Sequence, residues 1–265
     1  GMQLTTVEEY DPETDTWTKK TDMSTPRENF FTSVVNGKIY AIGGWNKVNK
    51  TLSIVEEYDP ATDKWTKKAD MPSPTWGHST SVVNDKIYVV GGGFGRSTVE
   101  EYEPAKDKWT RKANIPTGRH QLFTSVVDGK IYAIGGHTDG GWDNIVSAVE
   151  EYDPATDTWT EKADMPVKTG SLSTNVVNDR IYAIGGVTPE GWTSAVYEYN
   201  PKTDRWTEKT AMSFARAVLS TSTVNGKIYA IGGCTVAGTA LSTVEEYDPE
   251  FTGKTITSKG KLATS

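Results

Sequence analysis

The absences narrow the reading before any motif does. A single cysteine, Cys234, excludes an intramolecular disulfide and says little about compartment. Basic residues are the minority, 28 Lys and Arg against 35 Asp and Glu, giving a net charge of −7. A binder of phosphate backbones needs a basic stripe, so no nucleic-acid partner is expected. Long apolar runs are missing too. The longest are short phrases of the type Ile-Tyr-Ala-Ile, too short to span a bilayer, and no apolar signal segment is visible. Gly1-Met2 reads as an expression remnant, so a removed leader stays compatible with the sequence. Asn49-Lys50-Thr51 fits the glycosylation triplet, but a single match is close to chance. Nor does any stretch sustain an apolar period of 3.6 residues, so almost no helix is expected.

The chain is instead rich in repetition. Paired glycines follow a tyrosine-bearing run at 43–44, 91–92, 135–136, 185–186 and 232–233. In phase with them stand Trp17, Trp65, Trp109, Trp159 and Trp206. Glu-Glu-Tyr-Asp-Pro begins at 8, 56, 150 and 245, with variants at 100 and 197. Three markers in register define an array of units of roughly 47 residues.

Each unit reads as four short strands, A to D. In the third, an apolar run from Phe123 is followed by the turn Asp128-Gly129 and then by Lys130 to Gly136. Asn-Gly and Asp-Gly between apolar runs favour a type I′ hairpin, which needs φ > 0 at both central positions. A second hairpin runs from Val149 to Lys162 around Asp153-Pro-Ala-Thr-Asp157, where the proline's missing N–H costs nothing.

Four antiparallel strands at this period, with Gly-Gly, a strand tyrosine and a strand tryptophan at matching offsets, resemble the kelch repeat over the whole chain. The resemblance implies an all-β β-propeller of four-stranded antiparallel blades. Strands A and B occur five times, which favours five blades, with a six-bladed ring containing one incomplete blade as the alternative. The expected layout is one domain over 1–265. Its blades fall near 29–68, 75–112, 119–162, 169–209 and 216–265, and an N-terminal C–D pair within 1–28 closes the ring. The C-terminal pair lacks the tryptophan, so the pair carrying Trp17 is the better match for that closure.

A meander places the A–B and C–D turns at one end of each sheet and the B–C and D–A loops at the other. The first set is monotonous and the second is varied. Four tryptophans outside the repeat frame, Trp45, Trp76, Trp142 and Trp192, all lie in the varied loops, as do His78, His120, His137 and Cys234. Aromatic rings on loops held by a rigid frame suit binding, while the plain alternative is that some plug the space between blades. The longest such loop, His137 to Ala148, makes Trp142 the expected contact.

Arg27, Arg119 and Arg216 share one repeat position just before strand A. In kelch-domain substrate adaptors of ubiquitin ligases, arginines at this place line the pocket and grip acidic peptide groups, so the resemblance implies a ring of guanidiniums. The plain alternative is an arginine bonded to a neighbouring loop carbonyl. Trp45 with Asn46, Trp142 with Asp139 and Asp143, and Trp192 with Glu190 would equally suit a glycan. The histidines lack metal-ligand spacing, and neither metal nor cofactor is called for. A catalytic alternative is the sialic-acid mutarotase type within the same superfamily as galactose oxidase, with the three arginines and Glu28 or Glu190 as the acid–base set. The paired glutamates point to opposite faces of strand C and make no catalytic pair. The reading is a non-catalytic recognition module for a peptide or glycan, extracellular or periplasmic in preference to cytoplasmic, with a spacer in a larger surface protein as a structural alternative.

Overall fold

The computed structural model describes residues 4–11, 13–14, 16–139, 144–250 and, as a strand, 256–261. The fold is an all-β propeller of five four-stranded antiparallel blades, and its only helical segment among the described residues is the single turn Pro104–Lys106. Contacts divide the chain into two compact units, Gly1–His120 and Gln121–Ser265.

The first unit holds two blades. Blade one is Phe31–Val35, Lys38–Ile42, Val55–Asp59 and Lys64–Lys67; blade two is Ser79–Val83, Lys86–Val90, Val99–Glu103 and Lys108–Arg111. Their facing surfaces share one core, in which Val35, Tyr40, Ile42, Val55 and Met71 meet Ile87, Val89 and Tyr102. Each such side chain contributes about 1.5–3 kcal/mol when fully buried. The second unit holds three blades: Phe123–Val127 through Thr158–Lys162, Ser173–Val177 through Arg205–Lys209, and Ser220–Val224 through Ile256–Lys261. Two further clusters fill the spaces between them.

The repeated motif residues form a clip from blade to blade. Trp65 Nε1 donates to the Thr21 carbonyl at 2.9 Å, while Asp63, at φ +52, accepts the Thr21 N–H and the Tyr58 hydroxyl. Trp109 and Asp107 repeat the pattern on Ala69, and Trp206 and Asp204 repeat it on Ala163. The turn aspartate thus satisfies a neighbouring backbone donor that would otherwise be unpaired. The tyrosine hydroxyl is the foremost cause holding the Asp63 and Asp107 carboxyls below the usual range.

The ends of the chain depart from the expected layout. Val7–Asp11 and Thr16–Lys20 form a two-stranded sheet of their own, and the fifth blade takes its outer strand from Ile256–Lys261, with Tyr247 opposite Ile256. The expectation that the N-terminal pair supplies that strand is corrected accordingly. A segment that follows after only eight intervening residues closes a far shorter loop, and that entropic advantage offsets the missing tryptophan. The N-terminal pair packs on blade one through Thr21, as a preceding blade's outer hairpin would.

Candidate functional site

The B–C and D–A loops of each blade are tied by backbone bonds at the paired glycines. In blade one the Gly43 N–H donates to Ile54 and the Gly44 N–H to Thr75, while Glu28 and Trp45 exchange both backbone bonds. Gly43 and Gly44 lie at φ +61 and +102, and a Cβ on Gly44 would come within 2.8 Å of the Glu28 carbonyl. No other residue type fits there. In blade two the Gly93 N–H donates to the Trp76 carbonyl, and Gly93 lies flat against the indole, where a Cβ would meet Nε1 at 2.5 Å.

These ties set up a depression of about 380 Å³ in the first unit, lined by Glu28, Asn29, Trp45, Lys50, Thr51, Trp76 and Phe94. Trp45 and Trp76 are half-buried, so their rings are fixed from behind and open in front. Phe94 is 72% exposed at φ +59, a strained conformation for a phenylalanine, and packs edge-on to Trp76 at 5.7 Å. Behind Trp76 stands His120, also edge-on, at 5.5 Å. Lys50, at φ +62, holds its ammonium 5.7 Å from the Trp45 ring centre. Asn46 is buried and locks the loop, its side chain donating to Pro26 and accepting from the Asn49 N–H. The walls are therefore pre-formed, which lowers the ordering entropy of binding.

Among the expected contacts, Trp45 and Trp76 come together here. Phe94, Lys50, Thr51 and Asn29 complete the site and were not anticipated. A phenylalanine between two glycines, Gly93 and Gly95, on the varied loops is the signal the sequence carries for it. Trp192 lies elsewhere, half-buried in a small hairpin where it pairs with Val187, and Glu190 at its tip is exposed. Asp139 is exposed, with its carbonyl accepting from Asn144, whereas Trp142 and Asp143 lie outside the described residues.

The arginines do not line an open pocket. Arg27, Arg119 and Arg216 are 3%, 0% and 0% exposed. Arg27 ion-pairs with the buried Glu56 and donates to the Gly43 and Ile54 carbonyls at 3.1 Å each. Burial pulls its pKa down from the usual arginine value, and Glu56 opposes that shift. Arg216 donates to Gly232 and sits 2.8 Å from Glu245, close enough for an ion pair though poorly aligned for a hydrogen bond. In place of the expected guanidinium ring, Arg27 and Arg216 form a structural brace inside their blades, and Arg119 is buried. The sugar-carboxylate clamp of the catalytic alternative loses its cations for the same reason. The first glutamate of the repeated pair serves this brace at Glu56 and Glu245. The second accepts from the strand-B tyrosine, as with Tyr88 on Glu101 at 2.7 Å and Tyr132 on Glu151 at 2.6 Å.

The histidines are internal or half-internal. His78 and His137 are fully buried, and Gly170 abuts His137 so closely that a Cβ there would come within 2.1 Å of Nε2. No group of three or more His, Cys, Asp or Glu able to hold a metal ion occurs among the described residues. Cys234 is half-buried and hydrogen-bonds weakly to the Ala217 carbonyl at 3.8 Å, and burial pushes its thiol pKa up. No helix among the described residues is long and apolar enough to cross a membrane.

Comparison with known proteins agrees with this architecture. Residues 39–253 match the attractin/LZTR1 β-propeller family and residues 1–24 the kelch motif. An F-box/kelch-repeat protein of Arabidopsis thaliana is 48% identical over 44 residues, which is 17% of this chain and 12% of that protein's length. The solved structure of YjhT superposes with a TM-score of 0.82 over 98% of both chains at 18% identity, a likeness of fold. Repeat markers, blade topology and family match converge, and the chain belongs to the attractin/LZTR1 family of kelch-type β-propellers.

Proposed function

We propose that this propeller is a non-catalytic recognition module that binds an acidic peptide segment of a partner protein in the depression lined by Trp45, Trp76 and Phe94. The observation that carries the reading is the pre-formed aromatic depression itself, of a size for one anchoring side chain. Charge supports the sign of the ligand. The B–C loops of blades one and two carry Lys47, Lys50 and Arg96 and no acid, in a chain whose net charge is −7. Lys50 and Arg96 are exposed, and Glu28 is the one carboxylate lining the depression. Cations around an apolar pocket raise the encounter rate with an acidic segment and fix its register.

The test is a titration of intrinsic tryptophan fluorescence with short acidic peptides carrying one aromatic residue, alongside charge-reversed peptides and neutral oligosaccharides. Saturable quenching by the acidic set, weakened by salt and shifted to higher peptide concentration in Trp76→Ala, is expected. A response to the oligosaccharides instead would reassign the depression to a glycan, and silence in every arm would remove the recognition reading.

A further inference from the structure

The residue immediately before strand A is a fully or nearly fully buried leucine in three blades, Leu122, Leu172 and Leu219, at 0%, 0% and 3% exposure. In blade two the same position is His78, equally buried. It makes the contacts that leucine makes. A Cβ on Gly43 would meet His78 Cε1 at 3.0 Å and Met71 Cε at 2.9 Å, just as one on Gly185 would meet Leu219 Cδ2 at 3.3 Å and Met212 Cε at 2.9 Å. The His78 ring also faces Phe31 at 5.5 Å. An imidazole therefore stands in a leucine socket, and neither ring nitrogen has a hydrogen-bond partner among the described residues.

That socket anchors the loop Thr75–His78, which supports both walls of the depression. Thr75 accepts from Gly44 and donates to Leu52, Gly77 donates to Asn29, and Trp76 accepts from Gly93. Glu28, Asn29, Trp45 and Trp76 all depend on this loop for their positions. We propose that His78 is an acid-sensitive positioning residue, fastening the Thr75–His78 loop while its ring is neutral and releasing it when the ring takes a proton.

The surroundings offer a proton no compensation. Phe31, whose ring lies beside the imidazole, and Gly43 and Met71, which share its corner, are all uncharged. The charged groups at the Gly43 corner are Arg27, which donates to the Gly43 carbonyl, and Glu56, which is committed to Arg27. Burial alone pulls the imidazole down to about 3. Once the loop opens and the ring meets water, its affinity for a proton returns to that of a free imidazole, near 6.5. Acid thus favours the open loop, by about tenfold at pH 5.5 and about a hundredfold at pH 4.5 relative to neutrality.

The functional consequence, weaker ligand binding in acid, rests on the reading of the depression given above; the latch itself does not. Amide exchange at Gly44, Gly77 and Gly93, corrected for intrinsic rate between pH 7.5 and 4.5, tests the latch without a ligand. Their opening should rise by those factors in the wild type and stay flat in His78→Leu, the residue that three sister blades already use. The amide of Gly186, which makes the equivalent bond to Arg216 at a corner whose socket holds Leu219, should stay flat in both proteins. His78→Gln, polar but without a titration in this range, should be flat as well. A flat wild type, an unchanged slope in His78→Leu, or an equal rise at Gly186 would each overturn the latch. A working latch in a protein that binds no acidic peptide at any pH would instead remove the reading of the depression.

Discussion

The loops of the first two blades and those of the last two differ more than the strands that carry them. Beside the Gly-Gly corners, blades one and two place Glu28, Trp45 and Trp76, where blades four and five place Gly170, Val187, Ala217 and Cys234. Charge is opposed as well. Lys47, Lys50 and Arg96 occupy the B–C loops of blades one and two; Asp139, Asp143 and Glu190 occupy those of blades three and four. Strand lengths, turns and clips are nearly constant throughout, so the scaffold holds the backbone fixed while side chains vary at defined sockets. The contrast teaches that one corner geometry accepts either small residues that simply close the sheet or large ones that build a surface.

The largest expected effect separates blade one from blade four. Blade one buries the pair Arg27–Glu56, and blade four has Thr169 and Tyr197 at those positions. Arg27→Ala leaves a buried carboxylate unpaired and should cost about 3–5 kcal/mol in urea unfolding. The double replacement Arg27→Thr with Glu56→Tyr copies blade four and should recover more than half of that loss. A double variant as weak as the single one would mean the brace is not interchangeable.

Next comes the proposed ligand surface. Trp76→Ala should weaken acidic-peptide binding by about 2 kcal/mol, the scale of a buried aromatic anchor, whereas Trp192→Ala should leave it unchanged. Equal losses from both would erase the distinction between the two loop sets.

His78→Leu replaces two unsatisfied buried nitrogens with the residue used in blades three to five, and should stabilise the fold by about 1–2 kcal/mol at pH 7. The pH dependence has a definite sign. Above about pH 6.5 the ring is neutral in folded and unfolded chains alike, and its contribution is level. As pH falls below that value the unfolded chain takes the proton and the folded chain does not, so stability drops by up to about 1.4 kcal/mol per pH unit until about pH 3. Denaturation midpoints across pH 7.5 to 4.5 should fall less steeply in the variant than in the wild type, by the share that His78 contributes.

The smallest effect is expected at Lys50. Removing its contact with Trp45 in Lys50→Ala should change stability by no more than about 0.5–1 kcal/mol, the range of an exposed cation–π contact. Acidic-peptide affinity should fall measurably at low salt and hardly at all in high salt.

The blades were legible because each marker has a local cause. Asn36-Gly37 and Asp128-Gly129 impose positive φ at a turn, and the Tyr–Trp pairs, such as Tyr58 with Trp65 at 5.0 Å, follow from strand register. The site was only half legible. Trp45 and Trp76 stand out as aromatic departures from the repeat, but Phe94 and Lys50 join them through loop conformations, both at positive φ, that no periodicity encodes. The arginines misled because their spacing is as regular as that of any surface ring, and only the paired glutamate on strand C shows that they point inward. The leucine socket behind His78 emerged only from the structure, because burial is a property of the packed blades.

Sequence alone determined the strand count, the turn chemistry, the repeat period and which loops vary, since each rests on backbone preferences within a few residues. Tertiary structure decided which strand completes the fifth blade, where the guanidiniums are neutralised and which aromatics share a wall. Those outcomes depend on contacts between residues far apart in the chain, where loop-closure entropy, desolvation and packing compete and no local pattern records the result.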